Sequence, residues 1–387
     1  MHPTLAPFEA LVQEGYLNKN EMDDLVLYNY NDFCTFEKYW GEYTTQARGI
    51  IFNKVTGECV ARPFLKFHNL GETEKTQFKN LPNEPYEVFE KYDGSMGVLY
   101  VHQVGASDPD NFVFPLRSLA ISTRGSFSSV QAQTATTMLH AKYEKLCNAL
   151  QASDFLGSEG DVFDYTLLFE IIYPENRLCA GGRLVVDYGE MRDLILLGAI
   201  HKKTGQEMSY ERLCEVAKEY GFPVARRYEH TIEEMIAMQK TLPVEKEGFV
   251  VHFLKSNLRV KIKGDEYCKR QKILNSMTPL NMWALLEKGV IPDTYKIEIP
   301  EEILPEALAI EADLSQKYQT VKKEIEEDAK KIPFTLDGTK ETRKNIALWL
   351  KANKLKHHNV MFSYILNREK DVEDWVKELI RPHNNVL

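Results

Sequence analysis

An α+β fold with antiparallel sheets, followed by an all-α C-terminal region, is the fold class that the sequence predicts. Between about residue 25 and residue 265 the chain consists mainly of short β-type runs separated by turn residues. Helical segments interrupt these runs without the regular alternation of a parallel βαβ sheet. Beyond about residue 270 the apolar residues follow helical spacing throughout. We therefore expect two domains, residues 1–270 and residues 271–387.

The predicted strands are short runs rich in apolar, β-branched and aromatic residues. Turn-forming stretches such as Thr56-Gly57 and Lys203-Thr204-Gly205 separate many of them. The clearest runs are 49–53, 86–90, 97–102, 167–173, 194–200, 248–253 and 258–263. Since they do not alternate regularly with helices, antiparallel pairing is favoured.

Helices are predicted both within this region and after it. Residues 130–150 are rich in Ala, Gln, Leu and Lys, and residues 213–220 carry an apolar stripe that stops at Gly221. Thr231 and Glu234 form a capping-box pattern that opens a short helix. The C-terminal stripes comprise Leu314, Tyr318, Val321 and Ile325, then Val372, Trp375, Val376, Leu379 and Ile380. These stripes predict packed helical cores.

Composition is typical of a globular protein of the cytoplasm. The 387 residues are 43% hydrophobic and 27% charged. The longest strongly apolar run, 194–200, is far too short to span a bilayer, and the N-terminus lacks a signal-peptide pattern. Six cysteines without a CxxC pair indicate neither a disulfide framework nor a zinc site. We expect a soluble protein without membrane contact in a reducing cytoplasm.

Positive charge is concentrated in one segment of an otherwise acidic chain. The net charge is −9, yet residues 255–272 hold seven Lys or Arg against two acids, a local charge of +5. An enclosed anion site explains such a patch better than a broad polyanion-binding face. A solvated strand edge that carries lysines is the alternative.

The segment Lys91-Tyr92-Asp93-Gly94-Ser95 places a lysine between a predicted strand and a turn. A lysine acts as a nucleophile only when neighbouring cations or desolvation lower its pKa. Strand alternation puts Arg259, Lys261 and Lys263 on one face, where they suit a polyphosphate. An Asp-Gly pair is also a common hairpin turn, so the pentapeptide alone is a weak signal.

Two glutamates adjoin other predicted apolar strands. Glu170 lies within Leu167–Ile172, and Glu247 precedes the run that begins at Gly248. A carboxylate against apolar neighbours must be paired, hydrogen-bonded or bound to metal, because desolvating it alone is costly. Each glutamate singly is compatible with a strand cap, but the succession of acidic and basic strands favours a shared site.

These segments together resemble the motifs of covalent nucleotidyltransferases, the superfamily of nucleic-acid ligases and mRNA capping enzymes. The four matching motifs are Lys91-Tyr92-Asp93-Gly94-Ser95, Leu168-Phe169-Glu170, Glu247-Gly248-Phe249-Val250 and Val260-Lys261-Ile262-Lys263. Upstream, the segments around Arg48 and Lys66 are similar to those of the ATP-dependent RNA ligases of tailed bacteriophages that repair broken tRNA. The resemblance covers about residues 25–270 and implies a nucleotidyltransferase (adenylation) domain.

The resemblance implies a role for each basic residue. Lys91 is the expected nucleophile, which attacks the α-phosphorus of ATP and becomes lysyl-AMP. Lys261 and Lys263 are expected to neutralise the α-phosphate and to keep Lys91 unprotonated. The cations expected to bind phosphates of ATP or of the RNA end are Arg48, Lys66 and Arg124.

It also implies roles for acidic and aromatic residues. Glu170 is expected to hold the ribose hydroxyls and Glu247 to help organise Mg²⁺, with Mn²⁺ as an alternative metal. Asp293 aligns with a family acidic position that is linked to metal. Tyr28 and Tyr267 are expected to contact the nucleotide, although ordinary core tyrosines are the alternative.

The implied activity joins an RNA 5′-phosphate to a 3′-hydroxyl through lysyl-AMP and RNA-adenylate. The expected substrate is tRNA with a broken anticodon loop, and the expected partner is a separate end-healing kinase/phosphatase. A monomer is expected, in the host cytoplasm if the chain is viral. The helical domain is expected to contribute to tRNA recognition.

Three other functions are the alternatives to this one. A DNA ligase or a capping enzyme carries an OB-fold after the adenylating domain, whereas this sequence turns helical after Lys263. A noncatalytic RNA-end or nucleotide-binding module is expected to lose Lys91 or a partner residue, and here all are present.

Overall fold

The computed structural model describes most of the chain as two compact units, Met1–Lys269 and Arg270–Leu387. The described residues are 3–104, 116–152, 162–175, 186, 188–243, 245–276, 278–297, 304–334, 339–353 and 355–383. The first unit contains three sheets with helices, and the described part of the second contains helices. The predicted α+β class with antiparallel sheets is confirmed.

The first sheet is an antiparallel meander near the N-terminus. Its strands, in spatial order, are β1 (Leu17–Met22), β2 (Leu25–Tyr30), β3 (Arg48–Asn53) and β4 (Cys59–Ala61). Helices α1 (Ala6–Gln13), α2 (Asp32–Phe36) and α3 (Glu42–Gln46) accompany it. Phe8 of α1 packs against Tyr28 and Phe52, which are fully buried. This aromatic cluster anchors the N-terminal helix to the sheet.

The second sheet supplies one wall of the cavity described below. Its strands are β7 (Ser95–Val104), β8 (Leu116–Thr123), β9 (Tyr165–Ile172) and β10 (Asp193–His201), in the order β10-β9-β7-β8. Its apolar core contains residues of α4 (Val130–Lys142), α5 (Glu144–Ala152) and α6 (Tyr210–Tyr220). Gly221, in the left-handed region at φ +87°, ends α6 at the predicted position.

The helix predicted over residues 130–150 is broken at Tyr143. The Tyr143 side chain is buried, its ring lies 3.9 Å from that of Phe222, and its hydroxyl donates to the Asp193 carboxylate. These contacts come from distant parts of the chain, so local helix propensity does not reveal the break.

The third sheet supplies the opposite wall of the cavity. Its order is β11-β6-β12-β13-β5, and all neighbours pair antiparallel except β13 and β5. The strands are β5 (His68–Asn69), β6 (Tyr86–Lys91), β11 (Arg227–Tyr228), β12 (Gly248–Phe253) and β13 (Arg259–Lys263). Helix α7 (Ile232–Met238) packs on it and has the predicted Thr231–Glu234 capping box.

The chain crosses from the third sheet to the second at Tyr92–Gly94. Strand β6, which ends at Lys91, pairs with β11 and β12, whereas β7, which begins at Ser95, pairs with β8 and β9. The Asp-Gly pair is therefore not a hairpin turn. It places Lys91 where the two sheets diverge.

Helices follow β13 to the end of the described chain. They are α8 (Asp265–Ser276), α9 (Pro279–Ala284), α10 (Asp293–Ile297), α11 (Leu304–Ala329), α12 (Lys340–Asn353), α13 (His358–Ile365) and α14 (Glu369–Leu379). The predicted stripes supply much of the second unit's core, although Leu379 is half exposed. Within the described residues, no helix has the length and apolar character needed to span a membrane.

Candidate active site

A cavity of about 570 Å³ lies between the second and third sheets of the first unit. The predicted site residues that line it are Arg48, Lys91, Arg124, Glu170 and Lys261. Phe89 and Val250 contribute from the third sheet, and Met96 and Leu197 contribute from the second. The walls are thus part apolar and part charged, as a site for a nucleotide requires.

Lys91, which lines the cavity, forms an ion pair with the buried Glu247. Its Nζ donates to Glu247 Oε2 at 2.6 Å, and the other carboxylate oxygen lies 3.0 Å from Lys263 Nζ. Only 2% of Glu247 is exposed. One buried carboxylate therefore bridges the two lysines.

Strand register explains this bridge. Gly248, the first residue of β12, pairs with Lys91 on one side and with Lys263 on the other. Gly248 has φ +144°, and a Cβ at this position would lie 2.1 Å from the Ile262 carbonyl oxygen. A glycine here lets the three strands close around the carboxylate of the preceding residue.

The pKa of Lys91 departs from the expected direction. Burial lowers it, but the attraction of Glu247, Glu170 and Asp93 together outweighs burial and raises the pKa above its ordinary value. The expectation that neighbouring cations keep Lys91 unprotonated is therefore wrong for the protein without bound nucleotide. Its nearest charged partner is an acid.

Lys261 is the lysine whose pKa is depressed. Burial is the largest cause, followed by repulsion from Lys91, Lys66 and Arg48, and together they lower its pKa to about 7. Arg259, the third cation of the same strand, also lines the cavity but is ion-paired with Glu207. Lys261 is thus the strand cation that a bound anion would affect most.

The Phe67 ring, which lines the cavity, contacts two cations. The Arg48 Cζ atom lies 5.1 Å from the centre of its ring, and Lys261 Nζ lies 5.0 Å from the same centre. Arg48 donates to the Leu65 carbonyl oxygen at 3.1 Å, but its buried Nε has no hydrogen-bond partner in the described part of the chain. A buried donor without a partner is costly, so an anionic ligand is well suited to this position.

Tyr30 links two further predicted cations at the rim of the cavity. Arg124 Nη1 donates to the Tyr30 hydroxyl at 3.0 Å, and Lys66 Nζ lies 5.7 Å from the Tyr30 ring centre. The sequence predicts a nucleotide contact for Tyr28 of the same strand instead. Tyr28 is fully buried and donates to the Glu9 carboxylate, an arrangement that argues against a nucleotide contact.

Glu170 lines the cavity as predicted, and burial raises its pKa to about 8 despite the opposing effect of Lys91. Gly94 packs tightly against it, because a Cβ on Gly94 would lie 2.9 Å from Glu170 Cγ and 2.7 Å from the Ile171 carbonyl oxygen. The glycine of the motif is explained by this close approach. A carboxyl group at this position can accept hydrogen bonds from sugar hydroxyls, as predicted for Glu170.

Asp93 fixes the turn between the sheets. Its backbone N–H donates to the Tyr188 hydroxyl at 2.7 Å, and its carboxylate accepts from the Val186 N–H at 3.0 Å and the Tyr267 hydroxyl at 3.0 Å. Tyr267 is 1% exposed and lies outside the cavity lining, so the structure gives it a role in holding the turn. The role of Tyr188 could not be predicted from a local sequence pattern, because Tyr188 is far from Asp93 in the sequence and only folding brings the two together.

Of the two carboxylates predicted to bind a metal ion, one lies in the first unit. Glu247 is buried beside Lys91, whereas Asp293 begins α10 in the second unit. Within the described residues, no group of three or more acidic, His or Cys side chains is arranged to hold an ion. Mg²⁺ is commonly bound by one or two carboxylates together with substrate phosphates, and Glu247 fits that limited contribution.

Several known proteins are similar to this chain. A protein of Thermovibrio ammonificans assigned as an RNA ligase is 27% identical over an alignment of 333 residues that covers 79% of this chain and 79% of that one. Three solved structures are similar at TM-scores below one half. A Naegleria gruberi RNA ligase mutant with ATP and Mn has a TM-score of 0.38 at 15% identity, over 55% of this chain and 60% of that one.

The other two structures match more of the chain. An archaeal ATP-dependent RNA ligase has a TM-score of 0.44 at 14% identity, over 95% of this chain and 78% of that one. An Aquifex aeolicus protein assigned as an ATP-dependent DNA ligase has a TM-score of 0.44 at 15% identity, over 90% and 88%. A family model described as RNA ligase matches residues 46–267, more than half of the chain and nearly all of the cavity lining. The chain therefore belongs to the RNA ligase family, within the nucleotidyltransferase superfamily.

Proposed function

We propose that this protein is an ATP-dependent RNA ligase that joins a 5′-phosphate to a 3′-hydroxyl through a lysyl-AMP at Lys91. The observation that carries the proposal is the position of Lys91 in a cavity that also holds Glu170, Lys261 and the unpartnered Nε of Arg48. A nucleophile, a carboxyl group and phosphate-binding cations are the groups that adenylate transfer requires.

In the first step Lys91 Nζ forms a bond to the α-phosphorus of ATP while the bond to the pyrophosphate oxygen breaks. Lys91 must first lose a proton, because its pKa is raised in the free protein. Phosphates bound beside Lys261 favour the charged form of that lysine, and a charged Lys261 then disfavours a second charge on Lys91. The negative charge of the phosphates opposes this effect at Lys91, and the proton leaves to solvent before the new bond forms.

Glu247 has two roles in this scheme. In the free protein it holds Lys91 in place through the 2.6 Å hydrogen bond. With a divalent ion present it would supply the carboxylate ligand, and the ion would neutralise charge on the phosphates. Lys263, 3.0 Å from the same carboxylate, keeps the group anchored when Lys91 moves away.

Two phosphoryl transfers complete the reaction. The RNA 5′-phosphate attacks the phosphorus of lysyl-AMP and frees Lys91, which gives RNA-adenylate. The 3′-hydroxyl then attacks the 5′-phosphorus, and AMP leaves as the phosphodiester forms. In both transfers the reacting phosphates are negatively charged and lie in the cavity lined by Arg48 and Lys261. The same cations therefore serve all three steps.

Incubation with α-labelled ATP tests the proposal. We expect a labelled protein whose label resists alkali and is released by acid, as a lysine phosphoramidate requires. The label should be lost in Lys91→Ala and retained in Lys79→Ala, a control that changes an exposed lysine. Absence of a Lys91-dependent adduct in the wild-type protein would refute the ligase proposal. Labelling from GTP alone would instead favour a capping-type enzyme.

We further propose that the natural substrate is tRNA with a broken anticodon loop, recognised with help from the helical unit. The resemblance to tRNA-repair ligases and the helices α9 to α14 that follow the adenylation unit support this proposal. Sealing rates should be compared on a nicked anticodon loop, a linear single strand and a nicked duplex. We expect the loop to be sealed fastest, and equal rates on all three would contradict the specialisation.

A further inference from the structure

Aromatic side chains form an exposed surface beside the first sheet that the proposed chemistry does not use. This aromatic ledge comprises Tyr16, Phe33, Phe36, Tyr39 and Trp40. Phe36 is 82% exposed, Phe33 is 50% exposed and Tyr39 is 46% exposed. Exposed aromatic rings clustered in this way are typical of binding surfaces.

Three rings of the ledge are already stacked on one another. The Tyr16 ring centre lies 4.2 Å from that of Tyr39, with the planes at 16°, and 5.3 Å from that of Phe33, with the planes at 23°. The outer two rings are the exposed ones. Phe36 is three residues after Phe33 on α2, so the two project from neighbouring positions of the helix.

The ledge is continuous with the rim of the cavity. Trp40 packs edge-on against Tyr30 with ring centres 5.0 Å apart, and Lys66 Nζ lies 5.2 Å from the Trp40 ring centre. Tyr30 in turn accepts a hydrogen bond from Arg124, which lines the cavity. Contacts through Tyr30, Lys66 and Arg124 therefore connect the ledge to the cavity lining.

We infer that the aromatic ledge stacks unpaired bases of the RNA strand whose end enters the cavity. This inference rests on the proposed ligase function and extends it to a subsite for single-stranded RNA. Aromatic faces bind successive bases without regard to sequence, and flanking cations follow the phosphates. Asp32 and Glu37 are exposed acids on the segment that carries the ledge, and they repel phosphates. The ledge therefore suits the uncharged base faces, and the phosphates pass Lys66 and Arg124.

Binding of a single-stranded, 5′-phosphorylated oligoribonucleotide to the full-length protein tests the inference. We expect Phe36→Ala and Tyr39→Ala each to weaken binding at least about fivefold in fluorescence anisotropy without ATP. Phe78→Ala is the matched control, because Phe78 is a 49% exposed phenylalanine outside the ledge. Wild-type affinity in both ledge variants would overturn the inference.

An abasic oligonucleotide separates stacking from other roles of the same surface. If bases stack on the ledge, the abasic strand binds wild-type protein more weakly, and Phe36→Ala causes little further loss. A penalty of equal size on normal and abasic RNA would overturn the inference. So would a change in sedimentation between wild-type and variant proteins, because it would make the ledge an interface between copies of this chain.

Lysyl-AMP formation without RNA distinguishes failure of this inference from failure of the proposed function. We expect Phe36→Ala and Tyr39→Ala to accept label from ATP at the wild-type rate, because neither residue lines the cavity. A wild-type protein that forms no adduct contradicts the ligase proposal. Ledge variants that form lysyl-AMP at the wild-type rate and also bind RNA with wild-type affinity contradict only the inference that bases stack on the ledge.

Discussion

Gly94→Ala tests how the turn after the nucleophile holds the site together. The added Cβ would lie 2.7 Å from the Ile171 carbonyl oxygen and 2.9 Å from Glu170 Cγ. The backbone contact is the decisive one, since Ile171 pairs with Ser95 across β9 and β7 and cannot rotate away. Relief of the clash requires the strands to separate by several tenths of an ångström.

Strain of this kind in a packed region costs about 1–3 kcal/mol. We expect the free energy of unfolding in urea to fall by about that amount at Gly94→Ala. The same movement displaces Glu170 and Lys91, so lysyl-AMP formation should slow by at least about tenfold, which corresponds to about 1.4 kcal/mol. The two measurements use the same protein at one pH and saturating ATP.

Gly41→Ala is the matched control. Gly41 has an ordinary backbone φ of −104°, and an added Cβ there would have Thr44 Oγ1 as its nearest neighbour at 4.0 Å. We expect less than about 1 kcal/mol of destabilisation and an unchanged rate of labelling. If Gly94→Ala unfolds and reacts like the wild-type protein, the close packing of the turn against Glu170 is not a constraint on the site.

The remaining predictions concern charge and hydrogen bonding around the nucleophile. Glu247→Gln removes the acid nearest Lys91, so the pKa of Lys91 should fall and the pH–rate profile of labelling should move to lower pH, with a lower maximum. For Glu170, whose pKa is raised to about 8, the folded protein binds more protons than the unfolded chain between about pH 4.5 and 8. Stability should therefore decline across that range, and Glu170→Gln should remove the decline, a gain of at least about 1 kcal/mol at pH 8 in urea unfolding. Tyr188→Phe removes the hydroxyl that accepts from the Asp93 N–H, and should cost about 1 kcal/mol of stability and slow labelling.

Each of these three predictions has a control variant or an outcome that would contradict it. Glu245→Gln changes an exposed carboxylate two residues before Glu247 and should leave the pH–rate profile unmoved. A profile that moves to higher pH in Glu247→Gln would contradict the assigned ion pair, and equal stability curves in Glu170→Gln and wild type would contradict the buried carboxyl. Tyr86→Phe is the control for Tyr188→Phe, and equal effects of the two would show that the contact to the turn is not special.

Much of the fold and of the site could be predicted because the motifs combine local pattern with chemistry. Strand alternation places Lys261 in the cavity, and desolvation cost identifies Glu247 as a residue that needs partners. The crossing at Asp93-Gly94 could not be predicted, since β6 does not pair with β7 but with β12, and β7 pairs with the distant β9 as well as with β8. Local turn chemistry is the same for a hairpin and for a crossing between sheets.

Two details of the site could not be predicted, because they depend on interatomic distances in the folded protein and not on sequence pattern. Tyr28 and Tyr30 have the same parity on β2, so alternation cannot separate them, and only the end of the strand brings Tyr30 to Arg124. The sign of the Lys91 pKa shift depends on which charges are nearest. The sequence shows cations on β13, whereas the fold places Glu247 closest.

The register of β12 has a consequence for any attempt to graft this site onto another protein. Because Gly248 pairs with both Lys91 and Lys263, two steps of strand spacing, about 9.5 Å in all, set the span between their backbones. That span belongs to the hydrogen-bonded ladder and not to any side chain. A pentapeptide carrying the lysine would therefore not reproduce the arrangement of Lys91, Glu247 and Lys263, which needs at least the three-stranded segment β6-β12-β13 with the glutamate that precedes its central strand.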